Sequence, residues 1–313
     1  MSAALHRYSV YGGCLASTIA FPELPPSRAM APRWTFGTTP QLAPMSDALE
    51  LGADRIYAEV FARLYSHADG HRIVVDDTGS FDLSADRRCV TWEERAASWP
   101  DFVRAHLMGR VLATALYLDG MLPLHASAVE TREGVIGFLA PKGFGKSTLA
   151  LALTAAGARL VTDDTLPVEA SDAPQAWPGV HSLRVRDDSI GAVGMTSPTL
   201  DTREGKRLVT ALAPEKLLSH PAPLAALYLL DPVVPEAGEV TRVALPVMLA
   251  AIGIVAHVKI GRMLGPAAAG PMIERAAAIV RRVPVFRLHA PRDLAQLPAT
   301  AAALLAWHGA LQA

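Results

Sequence analysis

The sequence predicts an α/β protein: a domain on a mixed central sheet flanked by helices, with a smaller, strand-rich N-terminal region before it. Three observations lead there. A strand, a glycine-rich loop, a helix and a second strand follow one another within about 30 residues, from Val135 to Asp164. Pro22, Pro25, Pro26, Pro32, Pro40 and Pro44 forbid long helices at the start of the chain, where short strand candidates recur. And 51% of the 313 residues are hydrophobic against 19% charged, enough for a sizeable core.

In the N-terminal region, Arg72-Ile-Val-Val-Asp76 and Arg88-Cys-Val-Thr-Trp92 alternate like strands, with a turn at Ser84–Arg87 before the second. Nothing in this region forms a motif that carries chemistry. The pattern changes near Trp99-Pro100-Asp101. Asp101 caps a predicted helix whose apolar residues Phe102, Leu107, Val111, Leu112, Ala115 and Leu116 share one face, with Gly120 as its stop. The domain boundary is set just before it, giving regions 1–95 and 96–313.

A hairpin comes next. Leu122–Val129 is one predicted strand, Glu130–Gly134 the turn and Val135–Leu139 the other strand. The second strand runs into Ala140-Pro-Lys-Gly-Phe-Gly-Lys-Ser-Thr148, a helix follows to Ala156, and Gly157 ends it. Arg159–Thr162 then forms a short strand leading to Asp163-Asp164. The alanine-rich stretches near 266–279 and 299–306 predict helices. The apolar run Leu245–Val258 predicts a buried helix or strand–helix piece, being shorter than the roughly 18–20 residues that span a bilayer.

A glycine-rich turn between strand and helix, ending in Gly-Lys-Ser, fits polyphosphate for physical reasons. Gly143 and Gly145 let several backbone N–H groups converge, and the helix N-terminus adds partial positive charge. Lys146 reaches the β- and γ-phosphates of a nucleotide, and the Ser147 hydroxyl serves magnesium. Lys142, Phe144 and Thr148 complete the segment predicted to hold ATP. Ala140 stands where the strictest form of the pattern has glycine, which leaves the anion nest intact.

Asp163-Asp164 follows the next strand. A right-handed βαβ crossover would put that strand beside the first and both carboxylates near the phosphates. One could hold magnesium while the other takes a proton from an attacking hydroxyl; the residue types leave open which. Antiparallel counting sets His125 opposite residue 139, beside the loop entrance, where it would meet a phosphate or the nucleophile. Lys206-Arg207, after a turn at 201–205, are the leading candidates to complete a phosphate clamp, with Arg184, Arg186 and Arg262 behind them.

The bulk charge points the same way. A formal net charge of −1 gives no electrostatic drive toward nucleic acid. Cys14 and Cys89 are too few for a disulfide framework and read as reduced thiols of a cytoplasmic protein. The first 21 residues lack the compact apolar run of a signal peptide, so neither secretion nor a membrane anchor is expected.

The residues His125-Ala-Ser, Ala140–Thr148 and Arg159-Leu-Val-Thr-Asp-Asp164, in that order and spacing, resemble the catalytic domain of the HPr kinase/phosphorylase family over about residues 120–170. The resemblance implies a P-loop kinase fold of that type, ATP and Mg2+ as cofactors and a homo-oligomer. Lys146 and Ser147 would then serve phosphate and magnesium, Asp163 would act as catalytic acid/base and Asp164 as the metal-side carboxylate, or the reverse. His125 and Lys146 would join Asp163 in catalysis. The family's Glu-x-Arg-Gly segment is absent, Leu183–Asp188 occupying that region, so neither dephosphorylation nor HPr as substrate is implied. The opening Tyr8-Ser-Val-Tyr-Gly-Gly-Cys14 and Phe21-Pro-Glu-Leu24 is similar to divergent HPr-kinase-like proteins of peptide maturation, some of which phosphorylate a serine of a lasso-peptide precursor. The expected function is therefore transfer of the ATP γ-phosphate to a serine hydroxyl of a peptide or small protein. The alternatives are a small-molecule acceptor such as free serine, or a nucleotide sensor without transfer.

Overall fold

A computed structural model describes residues 5–29, 31–95, 98–195, 198–202, 205–210, 212–230 and 239–311. The chain divides into two compact units, residues 1–123 with 258–272, and residues 124–257 with 273–313.

The first unit is built on one eight-stranded sheet: β1 (His6–Val10), β2 (Gly13–Ser17), β3 (Trp34–Thr39), β4 (Leu49–Tyr57), β5 (Val60–His67), β6 (Gly70–Val75), β7 (Gly79–Ser84) and β8 (Cys89–Glu93). Strands β4 to β8 form an antiparallel meander, and β8 joins β3 in parallel, giving the order β1-β2-β3-β8-β7-β6-β5-β4. The period-2 pattern of β7 buries Phe81 and Leu83 while Ser80 and Asp82 face outward. The core of this unit also holds Phe21, Trp34, Phe36, Leu64 and Ile73.

The predicted helix forms as α1 (Pro100–His106), a π-helical turn at Leu107–Val111 and α2 (Leu112–Leu118). Asp101 does not cap it. Trp99 occupies the N-cap position without a side-chain capping bond, and Pro100 starts the helix with a preset φ, leaving Asp101 in the first turn. The helices also group with the first unit and not with the glycine-rich loop, so the division falls at Pro123/Leu124 instead of near residue 95. The ties are specific: Asp119 binds Arg33 at 3.2 Å and Arg87 at 2.6 Å, and the Tyr11 hydroxyl donates to the Met108 carbonyl at 2.9 Å.

Strand β9 (Leu122–Leu124) lies at the division. Beyond it run β10 (Ala126–Thr131), β11 (Gly134–Leu139), α3 (Lys146–Ala155), β12 (Arg159–Asp163), β13 (Leu166–Glu169), β14 (Gln175–Ala176), β15 (Leu183–Val185) and α4 (Asp187–Val193). The rest comprises β16 (Thr199–Asp201), β17 (Arg207–Val209), β18 (Ala222–Leu230), β19 (Thr241–Ala244), α5 (Val247–Ala256), α6 (Ala269–Val280), β20 (Val285–His289) and α7 (Leu297–His308). The sheet is mixed. Its order is β12-β10-β11-β18, with β20 parallel to β18 and β19 antiparallel to β20. Strands β15, β17 and β16 make a separate three-stranded sheet. Phe138, Tyr228 and Phe286, on three adjacent strands, stack with ring centroids 5.9 and 5.4 Å apart, and α3 and α7 contribute Leu149, Leu153 and Leu304 to the same core.

Three expectations change. The strand predicted over Leu122–Val129 is interrupted at His125, whose backbone N–H leaves the ladder and donates to the His257 carbonyl at 2.7 Å. Strand β12 does not neighbour β11: β10 lies between them, antiparallel to both. Strands β11 and β12 therefore still run in the same direction, and their C-terminal ends share one edge of the sheet. The apolar run after Leu245 forms α5, but of its residues only Ala250 and Ile254 are buried, and Met248 is 74% exposed. No described helix is long and apolar enough to cross a membrane.

Candidate functional site

Strand β11 is buried along its whole length and delivers the chain to the glycine-rich loop at the sheet edge. Gly143 and Gly145 have φ of +88° and +87°, and Gly145 is the N-cap of α3. A Cβ at either position would meet no atom within 4 Å, so backbone conformation, not crowding, requires glycine there. The result is an open turn at the start of a ten-residue helix.

Lys146 is the first residue of α3 and is buried. Its ammonium donates to the carbonyls of Ala140 at 2.6 Å and Pro141 at 3.2 Å, and lies 3.2 Å from Nε2 of His125. His125 sits one residue outside the Ala126↔Leu139 pair, one step past the counted register and beside the loop as expected. Its Nδ1 lies 3.2 Å from the Asp164 carbonyl oxygen and 3.4 Å from Oδ1 of Asp164. With Lys146 donating to Nε2, Nδ1 carries the ring hydrogen and donates toward Asp164.

The two aspartates differ sharply. Asp163 is 8% exposed: Oδ1 accepts from the Ser127 hydroxyl at 2.5 Å, and Oδ2 accepts from the backbone N–H of Arg184 at 2.9 Å. Asp164 has a side chain 35% exposed and a φ of +134°, a region that a residue with a Cβ occupies at a cost of about 1–3 kcal/mol. Its backbone N–H donates to Ala126 and its Oδ2 accepts from the Thr165 hydroxyl, bonds that hold the strained conformation in place. Gly179 lies so close to Thr162, the residue before the aspartate pair, that a Cβ there would come within 2.1 Å of Thr162 Oγ1.

The remaining candidates fall in different places. Ser147 is the second residue of α3, and Lys142 is exposed on the loop. Thr148 turns toward α4, its hydroxyl 3.2 Å from that of Ser189. Arg207 is paired with Asp187 at 2.8 Å and with Asp201, and no contact among the described residues brings Lys206 or Arg207 to the loop. Residues 203 and 204 of the turn before them lie outside the described residues. Arg184 serves Asp163 through its backbone, Arg186 pairs with Asp188 at 3.4 Å, and Arg262 belongs to the first unit.

Sequence reasoning missed Arg292. It lies between β20 and α7, 149 residues from Gly143, yet its Nη2 donates to the Gly143 carbonyl at 3.3 Å and its guanidinium lies 4.8 Å from the centre of the Phe144 ring. No local signal could have found it, since sheet topology alone returns that loop to this edge. Ser127 and His257 were missed for the same reason. Burial lowers the His257 imidazole, the Gly253 carbonyl opposes the shift and the charge of Lys146 adds to it.

Among the described residues, no group of three or more His, Cys, Asp or Glu side chains is placed to hold a metal alone. A magnesium ion bound through phosphate oxygens needs only one or two protein ligands, and the Ser147 hydroxyl in the first turn of α3 fits that demand.

The fold and this edge define a mixed α/β protein with an anion-suited turn flanked by a Lys–His–Asp row. Comparison with known proteins adds little to that class. No family model matches the chain, and no curated protein matches it. One solved structure it resembles is the Hpr(Ser) kinase/phosphatase from Coxiella burnetii, at 13% identity and a TM-score of 0.32, over 59% of this chain and 95% of that one.

Proposed function

We propose that this chain is an ATP- and Mg2+-dependent phosphotransferase whose acceptor is a serine hydroxyl of a peptide or small protein, a lasso-peptide precursor being the first candidate. The observation that carries the reading is the Lys146–His125–Asp164 row, 3.2 Å and 3.4 Å between successive groups, at the mouth of the glycine turn. Phosphoryl transfer needs fixed positive charge at the phosphates and a carboxylate near the attacking oxygen, and this edge supplies both.

Roles follow from accessibility. Both Asp163 oxygens are engaged by Ser127 and Arg184, so its part is to position the strand end. Asp164 is the carboxylate open to an incoming hydroxyl and is the one to accept its proton, reversing the order first implied by the family resemblance. His125 holds Asp164 through Nδ1 and is itself held by Lys146 and by the His257 carbonyl. Lys146 leaves the Ala140 and Pro141 carbonyls for phosphate oxygens. The Ser147 hydroxyl would hold the magnesium ion, which when bound neutralises phosphate charge.

The test is incubation of the purified chain with Mg-ATP, serine-containing precursor peptides and free serine, read by mass spectrometry. Phosphopeptide from wild type and none from Asp164→Asn is the expected result. Phosphoserine alone would move the acceptor to small molecules, and ATP binding without transfer to either would make the chain a nucleotide sensor.

A further inference from the structure

The loop between β20 and α7 reaches the crest of the phosphate turn through one side chain, and that contact has a geometric consequence. The carbonyl of Gly143 and the N–H of Phe144 belong to the same peptide unit. In a trans peptide they point in opposite directions. Arg292 holds the Gly143 carbonyl at 3.3 Å, and its guanidinium is braced on the Phe144 ring at 4.8 Å. The Phe144 N–H is thereby turned the other way, away from Arg292. Gly143, with φ +88° and open space where a Cβ would stand, has no steric device of its own to prevent this peptide from flipping.

We propose that Arg292 is a positioning residue for polyphosphate, fixing the Gly143–Phe144 peptide so that the Phe144 N–H is presented to the anion before it binds. The role rests on the phosphate-binding reading of the loop. It differs from that of an arginine placed to touch the transferred group: Arg292 grips protein backbone, and the benefit extends to any ligand whose phosphate occupies the nest. A disordered crest would have to be fixed at the moment of binding, and preorganisation removes that cost. Phe144 has a matching part, since its ring supplies the surface on which the guanidinium rests.

The experiment measures binding of ADP, ATP and inorganic pyrophosphate by calorimetry for wild type, Arg292→Ala and Arg292→Lys, with melting temperatures alongside. The expected result is a loss of about tenfold in affinity for all three ligands in Arg292→Ala, at an unchanged melting temperature, from one misaligned charge-assisted hydrogen bond. Arg292→Lys, which keeps a donor but loses the planar guanidinium that rests on Phe144, is expected to fall between wild type and Arg292→Ala. The loss in Arg292→Ala should persist at roughly 1 M salt, where the screening length is about 3 Å. A loss that disappears in salt would mean action by charge alone, a loss confined to ATP would mean contact with the terminal phosphate, and unchanged affinity would mean no role; each overturns the proposal. Failure of wild type to bind any of the three would instead sink the phosphate-binding reading itself.

Discussion

Ser127 on β10 and Asp163 on β12 are direct register partners, and the serine hydroxyl donates to Oδ1 of the aspartate across the strand pair at 2.5 Å. Asp163 is buried, and its other oxygen is taken by the backbone of Arg184. A carboxylate tied on both sides is part of the frame. Removing one tie leaves a buried acceptor without its partner, so Ser127→Ala is expected to cost about 1–3 kcal/mol in chemical denaturation. Asp163→Asn should destabilise as well, because the amide nitrogen cannot accept a hydrogen bond. Wild-type stability in both variants would remove the frame role.

Asp164 gives the opposite expectation. Its φ of +134° favours glycine, so Asp164→Gly relieves backbone strain of about 1–3 kcal/mol, partly offset by the greater freedom of glycine in the unfolded chain. The variant should be at least as stable as wild type while losing phosphoryl transfer. A melting curve and a transfer assay on the same preparation check this, and an active Asp164→Gly enzyme would rule out Asp164 as the proton acceptor.

The two loop glycines should fail by strain, not by collision. At φ near +88° an alanine costs about 1–2 kcal/mol locally, and the empty space around each Cβ means nothing else need move. Gly143→Ala and Gly145→Ala are therefore expected to fold, melt slightly lower and bind ADP at least tenfold more weakly as the nest distorts. Titration calorimetry with ADP reads the effect directly.

Stability should also fall in mild acid. Burial pushes the His181 imidazole down to about 4, with the Leu218 backbone acting the other way, and burial also lowers His257 and His308. A histidine whose folded pKa lies below its unfolded value of about 6.5 binds fewer protons when folded. Its neutral form is fully compatible with folding above that value, and stability declines as pH drops from about 6.5 toward 4. Urea midpoints across this window should fall, and His181→Gln should flatten the slope. An unchanged slope in that variant would remove His181 as its source.

Gly179 allows a separate check on how the aspartates are placed. Its backbone N–H donates to the Val161 carbonyl at 2.9 Å, and a Cβ would strike the Thr162 side chain and the Thr165 carbonyl. Gly179→Ala should displace the end of β12 and destabilise by about 1–3 kcal/mol, with transfer impaired although no catalytic group has changed. Thermal denaturation and the transfer assay together read it.

Much of the site is local in the chain, and that much was legible. The strand, glycine turn and helix over 134–155 follow from an apolar run, two glycines and an alanine- and leucine-rich segment, and the structure forms them. Antiparallel counting brought His125 to the loop because a two-residue turn fixes hairpin register, and it erred by one residue. The N-terminal region was read as strands, but nothing local revealed that α1 and α2 belong with it, since that depends on Asp119 meeting Arg33 and Arg87.

By itself, then, the sequence determined the glycine turn, the acidic pair at the end of the next strand and the mixed α/β class, because short-range periodicity and glycine conformation encode them. Tertiary structure decided which aspartate is open and which is tied. It inserted β10 between β11 and β12, and it carried Arg292 to Gly143 while leaving Arg207 with Asp187 and Asp201. The physical reason is the same in each case. Hydrogen bonds such as that of Ser127 with Asp163, 36 positions apart, or Arg292 with Gly143, 149 apart, depend on strand order and loop return, which no local pattern records.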